Sequence, residues 1–166
     1  MRDTASHPQR ASAVREVAYP VEHVWSAMAS LLPYCSVCDV SVIVDSPGDL
    51  EAGTKFRAFS GHAAQTDGMP SAEGGMAGEI VDWAPQQTVA TRLEAASETV
   101  VVCVEMAPAS QDTTLVTISV QVTPRLRSRL AAAMSRSSYA RMARRTVEGE
   151  IQKLPAHLAL LEEREG

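Results

Sequence analysis

The 166-residue chain is 45% hydrophobic, only 4% aromatic, and carries a formal net charge of −5. That length fits one domain able to bury roughly 70% of its unfolded surface, and the acidity argues against nucleic acid or an anionic membrane as the main partner. There is no run of about 18 apolar residues and no charged segment leading into an apolar one, so neither a membrane span nor a signal peptide is expected and the expected location is cytoplasmic.

Residues 1–10 are polar, aperiodic and contain Pro8, which predicts a disordered tail ahead of a single domain over 11–166. Ser12 to Tyr19 alternates imperfectly and stops at Pro20, whose ring favours an extended Tyr19, so this is a first strand. Pro20 suits the start of a helix, and Val21, Val24, Trp25 and Met28 repeat at helical spacing to about Ser30. A second short helical turn is expected near Leu31 to Cys38, interrupted by Pro33.

Strand signals follow. Val40 to Val44 alternates before the turn Ser46-Pro-Gly-Asp49, and Thr54 to Phe59 completes a hairpin. Gly61 to Gly75 reads as a loop of about 15 residues, a length typical of lids and binding loops. Four more strands are expected: Met76 to Trp83, Thr88 to Leu93, Thr99 to Met106, and Thr114 to Val122. Within them Phe56, Ile80, Val102, Val104, Met106, Val116 and Ile118 lie on phases opposite charges such as Lys55, Arg57, Glu79 and Glu105, and so should face inward.

The last quarter of the chain organises the rest. Val147, Ile151, Leu154, Leu158 and Leu161 recur at spacings of three and four, the mark of a helix with one apolar stripe. Such a stripe needs a sheet to lie on, which predicts an α+β fold: a curved antiparallel sheet closing on a long C-terminal helix. Towards the N-terminus the same side carries Ala143, Ala140 and Arg136, while Leu126, Leu130 and Met134 fall on a face turned by roughly a quarter. Either the helix breaks near Ser135 to Ser138, or its middle presents small residues and leaves a cavity against the sheet.

Three stretches together resemble the START-like (SRPBCC) superfamily of polyketide cyclases and dehydrases, lipid-transfer proteins and pollen allergens. Tyr19-Pro-Val-Glu-His-Val-Trp25 is similar to its Pro-x-x-x-Val-Trp segment leading from strand to helix. Pro47 to Thr54 is similar to the turn before its third strand, and Gly78-Glu-Ile-Val-Asp-Trp-Ala-Pro85 to a later strand and turn. The resemblance spans about Ala11 to Glu163. It implies a helix-grip fold, a curved seven-stranded antiparallel sheet wrapped around the C-terminal helix with an apolar cavity between them. It carries over no catalytic set, and the long Gly61 to Gly75 loop departs from the shortest members.

Cys35-Ser-Val-Cys38 has the spacing of a redox pair or half a zinc site, but no second such pair or pair of histidines follows, so Cys35, Cys38 and the strand residue Cys103 are expected to be structural. No metal site and no cofactor are expected. Arg125, Arg127, Arg129, Arg136, Arg141, Arg144 and Arg145 crowd the start of the helix, where the helix dipole opposes them. Arg136, on the extrapolated apolar side, is the one expected to enter the cavity and pair with an anionic ligand group. His23, His62 and His157 form no triad, so surface or structural roles are expected; His62, in the loop, is the nearest to an acid–base candidate.

The expected function is binding of a small or medium apolar molecule in the cavity, lined by Phe56, Ile80, Val102, Val104, Met106, Ile118, Arg136, Ala140 and Ala143. Two alternatives stay open: an enzyme of the cyclase or aromatase kind, and an interaction module with a filled core. Tyr139 and Met142, lying off the stripe, would form the contact patch of the latter, and a homodimer is left open with it.

Overall fold

The computed structural model describes residues 7–61, 75–125 and 128–165, the side chains of 129, 132, 164 and 165 excepted. Among them are seven strands and two helices: β1 (Gln9–Val17), α1 (Val21–Met28), β2 (Val40–Val44), β3 (Lys55–Ser60), β4 (Met76–Ala84), β5 (Thr88–Glu94), β6 (Glu98–Pro108), β7 (Thr114–Pro124) and α2 (Arg129–Glu165). The strands form one antiparallel sheet in the order β1-β7-β6-β5-β4-β3-β2. β1 therefore crosses to the far edge, and each of the other strands lies beside the next one in the chain. This is the α+β helix-grip layout.

Register explains which side chains share a face. Directly opposed residues point the same way, so Val44, Phe56, Gly78, Leu93, Val100 and Val122 make one row across six strands. Ile80, Thr91, Val102 and Val120 make the next, and a bulge between Ile80 and Asp82 resets β4 so that Trp83, Val89, Val104 and Ile118 make the third. These rows form the inner face. Val100, Val104, Met106, Val116, Ile118, Val120 and Val122 join the buried core there with Ala143, Val147, Leu154 and Leu158 of α2.

Pro20 sets the N-terminus of α1 with φ −65°, and the helix ends at Met28, shorter than the periodicity suggested. Its Val24 is fully buried and Trp25 meets Trp83 edge-on at 4.9 Å. The second short helix is absent. Pro33 has no N–H to give, and the following chain instead closes a turn in which Cys35 and Val40 exchange backbone hydrogen bonds of 2.8 and 3.3 Å. Asp39 closes that turn at φ 53°, a conformation a short polar side chain tolerates. At the N-terminus, Gln9 and Arg10 belong to β1 rather than to a tail.

α2 is one continuous helix, so the alternative of a break near Ser135 is excluded. Its 37 residues run about 55 Å, whereas an 11-residue strand spans about 37 Å. The helix rests on β1, β7 and α1 and has at most slight contact with the β2–β5 half among the described residues. Its N-terminal turns outrun their support, and Leu130 and Met134 are 71% and 76% exposed.

Pro155 sits inside α2, where it cannot donate to the carbonyl of Ile151. Arg15 of β1 supplies the missing donor, its Nη1 lying 3.3 Å from that oxygen. One turn later His23 of α1 contacts the Leu158 carbonyl through Nε2 at 3.0 Å while stacking on Tyr19 at 4.6 Å. Both flanking elements are thus stitched to the backbone of the second half of α2.

Candidate functional site

Two regions carry features beyond packing. The first is the inner face of the sheet opposite α2. Phe56 and Ile80 are 4% and 1% exposed yet lie outside the main core cluster, whereas Val104, Met106, Ile118 and Ala143 belong to it and Val102 packs partly against it. Of the expected lining residues, the sheet members therefore do share one face, and Ala140 is half-buried on the helix above. Arg136 is not with them. It is exposed, because the apolar side of α2 cannot be extrapolated past the point where the helix leaves the sheet. Tyr139 and Met142 pack against the core rather than forming an outward patch.

The Phe56 ring occupies the space a side chain on its register partner would need: a Cβ at Gly78 would stand 2.3 Å from a ring carbon. Glycine there lets the ring lie flat across β4. On the inner rows from β2 to β5, Val44, Phe56, Ile80, Thr91 and Leu93 supply an apolar surface with one hydroxyl and no ionisable group.

The charges lie elsewhere. Arg92 pairs with Glu79 at 2.6 Å and Glu94 at 3.2 Å, and Arg125 with Glu94, all on the outer face. Cys103 is on that outer face too, half-buried, with burial raising its thiol. Arg141, Arg144 and Arg145 are exposed, Arg127 and His62 lie outside the described residues, and the Arg129 side chain is not described.

The second region is a cleft of about 220 Å³ between α1, the Cys35 turn, β2 and α2, lined among others by Met28, Leu32, Val42, Cys35, Cys38, Glu150 and His157. Cys35 Sγ is 3.7 Å from His157 Nδ1, and Cys38 Sγ is 3.2 Å from His157 Nε2. One ligand atom from each of the three residues lies within 4.8 Å of the others. Burial pushes the Cys38 thiol up to about 12, with the charges of Cys35 and Glu150 acting in the same sense. Burial also lowers His157, against the pull of Glu150 and with the help of Lys153. Within the same turn, Tyr34 donates to Asp39 Oδ1 at 2.9 Å, a bond that raises the phenol.

Spacing alone gives the cysteine pair no third ligand. The fold supplies one from 119 residues further along the chain, which spacing rules cannot detect. The remaining hint was local: His157 falls seven residues after Glu150 and three after Leu154, on the supported half of α2.

Solved structures share this architecture. The aromatase/cyclase Zhui of Streptomyces sp. R1128 superposes with a TM-score of 0.68 at 15% identity, over 96% of this chain and 97% of that one. Truncated norcoclaurine synthase from Thalictrum flavum gives 0.63 at 8% identity, over 97% of each chain. A START superfamily protein from Mycobacterium smegmatis gives 0.59 at 14% identity, over 92% of this chain and 98% of that one. The chain shares the helix-grip fold of these structures, as the Tyr19 to Trp25 segment led one to expect. No family model and no curated protein sequence matches the chain.

Proposed function

We propose that the protein binds a small or medium apolar molecule between the β3–β6 part of the inner face and the overlying stretch of α2 around Ala140. The observation that carries this reading is the split of the inner face. Val104, Met106 and Ile118 belong to the core cluster that holds Val24 of α1 and Ala143, Val147, Leu154 and Leu158 of α2, whereas the Phe56 and Ile80 end is apolar, lies outside that cluster and has at most slight helix contact. Burial of ligand surface there is worth about 25 cal/mol per Å², and the Thr91 hydroxyl offers one orienting group. The similar structures support a ligand-binding use of this space; one of them is an aromatase/cyclase and another a norcoclaurine synthase. Among the described inner-face residues of β2–β5 there is no group able to move a proton, which favours a binder over an enzyme.

Native mass spectrometry of the purified protein, with denaturing extraction of retained molecules, tests this. A retained apolar compound, or saturable binding of the fluorophore ANS that Val102→Trp abolishes without loss of the native circular dichroism, is the expected result. A protein that retains nothing and binds no ANS has a filled interior, and the proposal fails.

A further inference from the structure

We propose that Cys35, Cys38 and His157 form a three-ligand zinc site whose fourth coordination position opens into the cleft between α1, β2 and α2. The site lies at the β2 edge of the sheet, between α1, the Cys35 turn and α2, and none of its three ligand residues is among those assigned to the apolar interior.

The turn is built to present both sulfurs on one side. Reciprocal backbone bonds between Cys35 and Val40 pinch its ends, Asp39 takes the left-handed conformation that completes the reversal, and the Cys38 N–H points at Cys35 Sγ from 3.5 Å. An N–H aimed at sulfur stabilises the thiolate, the form a metal requires. The opposite wall is a helix, so His157 is delivered by a rigid element; its backbone neighbourhood is fixed by the contacts of Arg15 with Ile151 and of His23 with Leu158.

Distances agree with coordination. Zn–S bonds of about 2.3 Å and Zn–N bonds of about 2.05 Å at tetrahedral angles separate two sulfurs by about 3.8 Å and a sulfur from the nitrogen by about 3.6 Å. The observed S···N separations are 3.7 Å from Cys35 Sγ to Nδ1 and 3.2 Å from Cys38 Sγ to Nε2, so each sulfur faces a different ring nitrogen and one of the two contacts is exchanged when a single nitrogen takes the metal. The full three-atom set lies within 4.8 Å, so closure needs a contraction of at most about 1 Å. One imidazole nitrogen would take the metal, the ring turning so that it faces both sulfurs.

Ligand chemistry selects the ion. Two thiolates and an imidazole suit zinc rather than calcium or magnesium, which take oxygen donors. Binding converts two thiols to thiolates and releases their two protons, and two thiolates with Zn²⁺ and neutral imidazole give a site of zero net charge, which a half-buried location tolerates. Glu150, two turns before His157 on α2, adds a negative charge at the cleft, partly offset by Lys153 at 4.0 Å. Three protein ligands with one open position is the composition of reactive zinc centres, whereas closed structural sites use four. Water or a nitrogen, oxygen or sulfur donor of a small ligand would occupy the fourth position from the cleft.

The test uses the full chain, reduced and stripped with a chelator, then titrated with Co²⁺ and Zn²⁺. The expected result is about one metal per chain. Cobalt should give tetrahedral visible bands and thiolate-to-cobalt charge transfer, both lost on adding zinc. Cys38→Ser should weaken Co²⁺ at least about tenfold and remove part of the charge transfer; His157→Ala should weaken it similarly while keeping the two-thiolate band. Reduced wild-type protein with its thiols titratable and no charge-transfer band overturns the proposal whatever the variants do, and so does metal binding that both variants leave unchanged. A Cys35–Cys38 disulfide in the isolated protein that, once reduced, yields a chain indifferent to metal overturns it in favour of a redox pair.

Discussion

Pro155 and Arg15 should be energetically coupled across the interface of β1 and α2. Arg15→Met keeps most of the aliphatic stem but removes the donor to the Ile151 carbonyl. A hydrogen bond from a charged donor contributes about 1.5–3 kcal/mol where buried. Arg15 is exposed and the contact is long at 3.3 Å, so about 1 kcal/mol is expected here. Pro155→Ala restores an N–H to the same carbonyl, so the loss of Arg15 should then cost almost nothing. The proline replacement alone should stabilise by about 1–2 kcal/mol, less than the roughly 3 kcal/mol of helix propensity because the unfolded chain regains freedom. Urea denaturation of the four proteins in the cycle reads the coupling, and 1 kcal/mol corresponds to about 2–4 °C for a chain of this size. An equal Arg15→Met cost in both backgrounds would refute the assignment of Arg15 as the replacement donor.

Two glycine-to-alanine changes should have opposite signs. Gly78→Ala drives a Cβ into the Phe56 ring and should destabilise by about 1–3 kcal/mol while altering ANS affinity; Gly149→Ala, in helix α2 with nothing within 4 Å, should stabilise by about 0.5–1 kcal/mol. Equal denaturation midpoints for the two variants would show that the ring yields without cost. Arg136→Met should change stability by less than about 0.5 kcal/mol and leave the preference between fatty acids and their neutral alcohols unchanged, because the residue is exposed. A lost preference for the acids would put Arg136 at the ligand.

The parts of the fold that were legible are those in which local pattern and tertiary demand coincide. Val147, Leu154 and Leu158 repeat at helical spacing and are buried because a whole half of α2 lies on β1 and β7. Alternation on β6 and β7 likewise follows a sheet covered on one side, and Pro20 signalled the strand-to-helix switch because its fixed φ serves both neighbours. Extrapolation failed at Arg136 for the same physical reason that it worked at Leu154. A stripe records support, and beyond about Ala140 the helix no longer has a sheet beneath it, so residue type there is free of the constraint that made the pattern readable. The Leu31 to Cys38 segment misled differently: its apolar residues suited a helical turn, but the backbone bonds it could make with Val40 outcompeted a helix already compromised by Pro33.

The Cys35 turn and His157 show what no periodicity rule can reach. A Cys-x-x-Cys pair fixes only two ligand positions, and the third depends on where a helix more than a hundred residues later is docked and how it is rotated. That rotation is set by Leu154 and Leu158 entering the core, which leaves the position between them, His157, turned by roughly a quarter of a revolution from their mean direction and towards the cleft. The stitching of Arg15 to Ile151 and His23 to Leu158 then holds the second half of α2 against sliding along its axis. Arg15→Met should therefore weaken Co²⁺ binding at Cys35, Cys38 and His157 through the helix as well as lower stability. A variant that loses stability but binds cobalt as the wild type does would mean that the core contacts of Leu154 and Leu158 alone are enough to place His157.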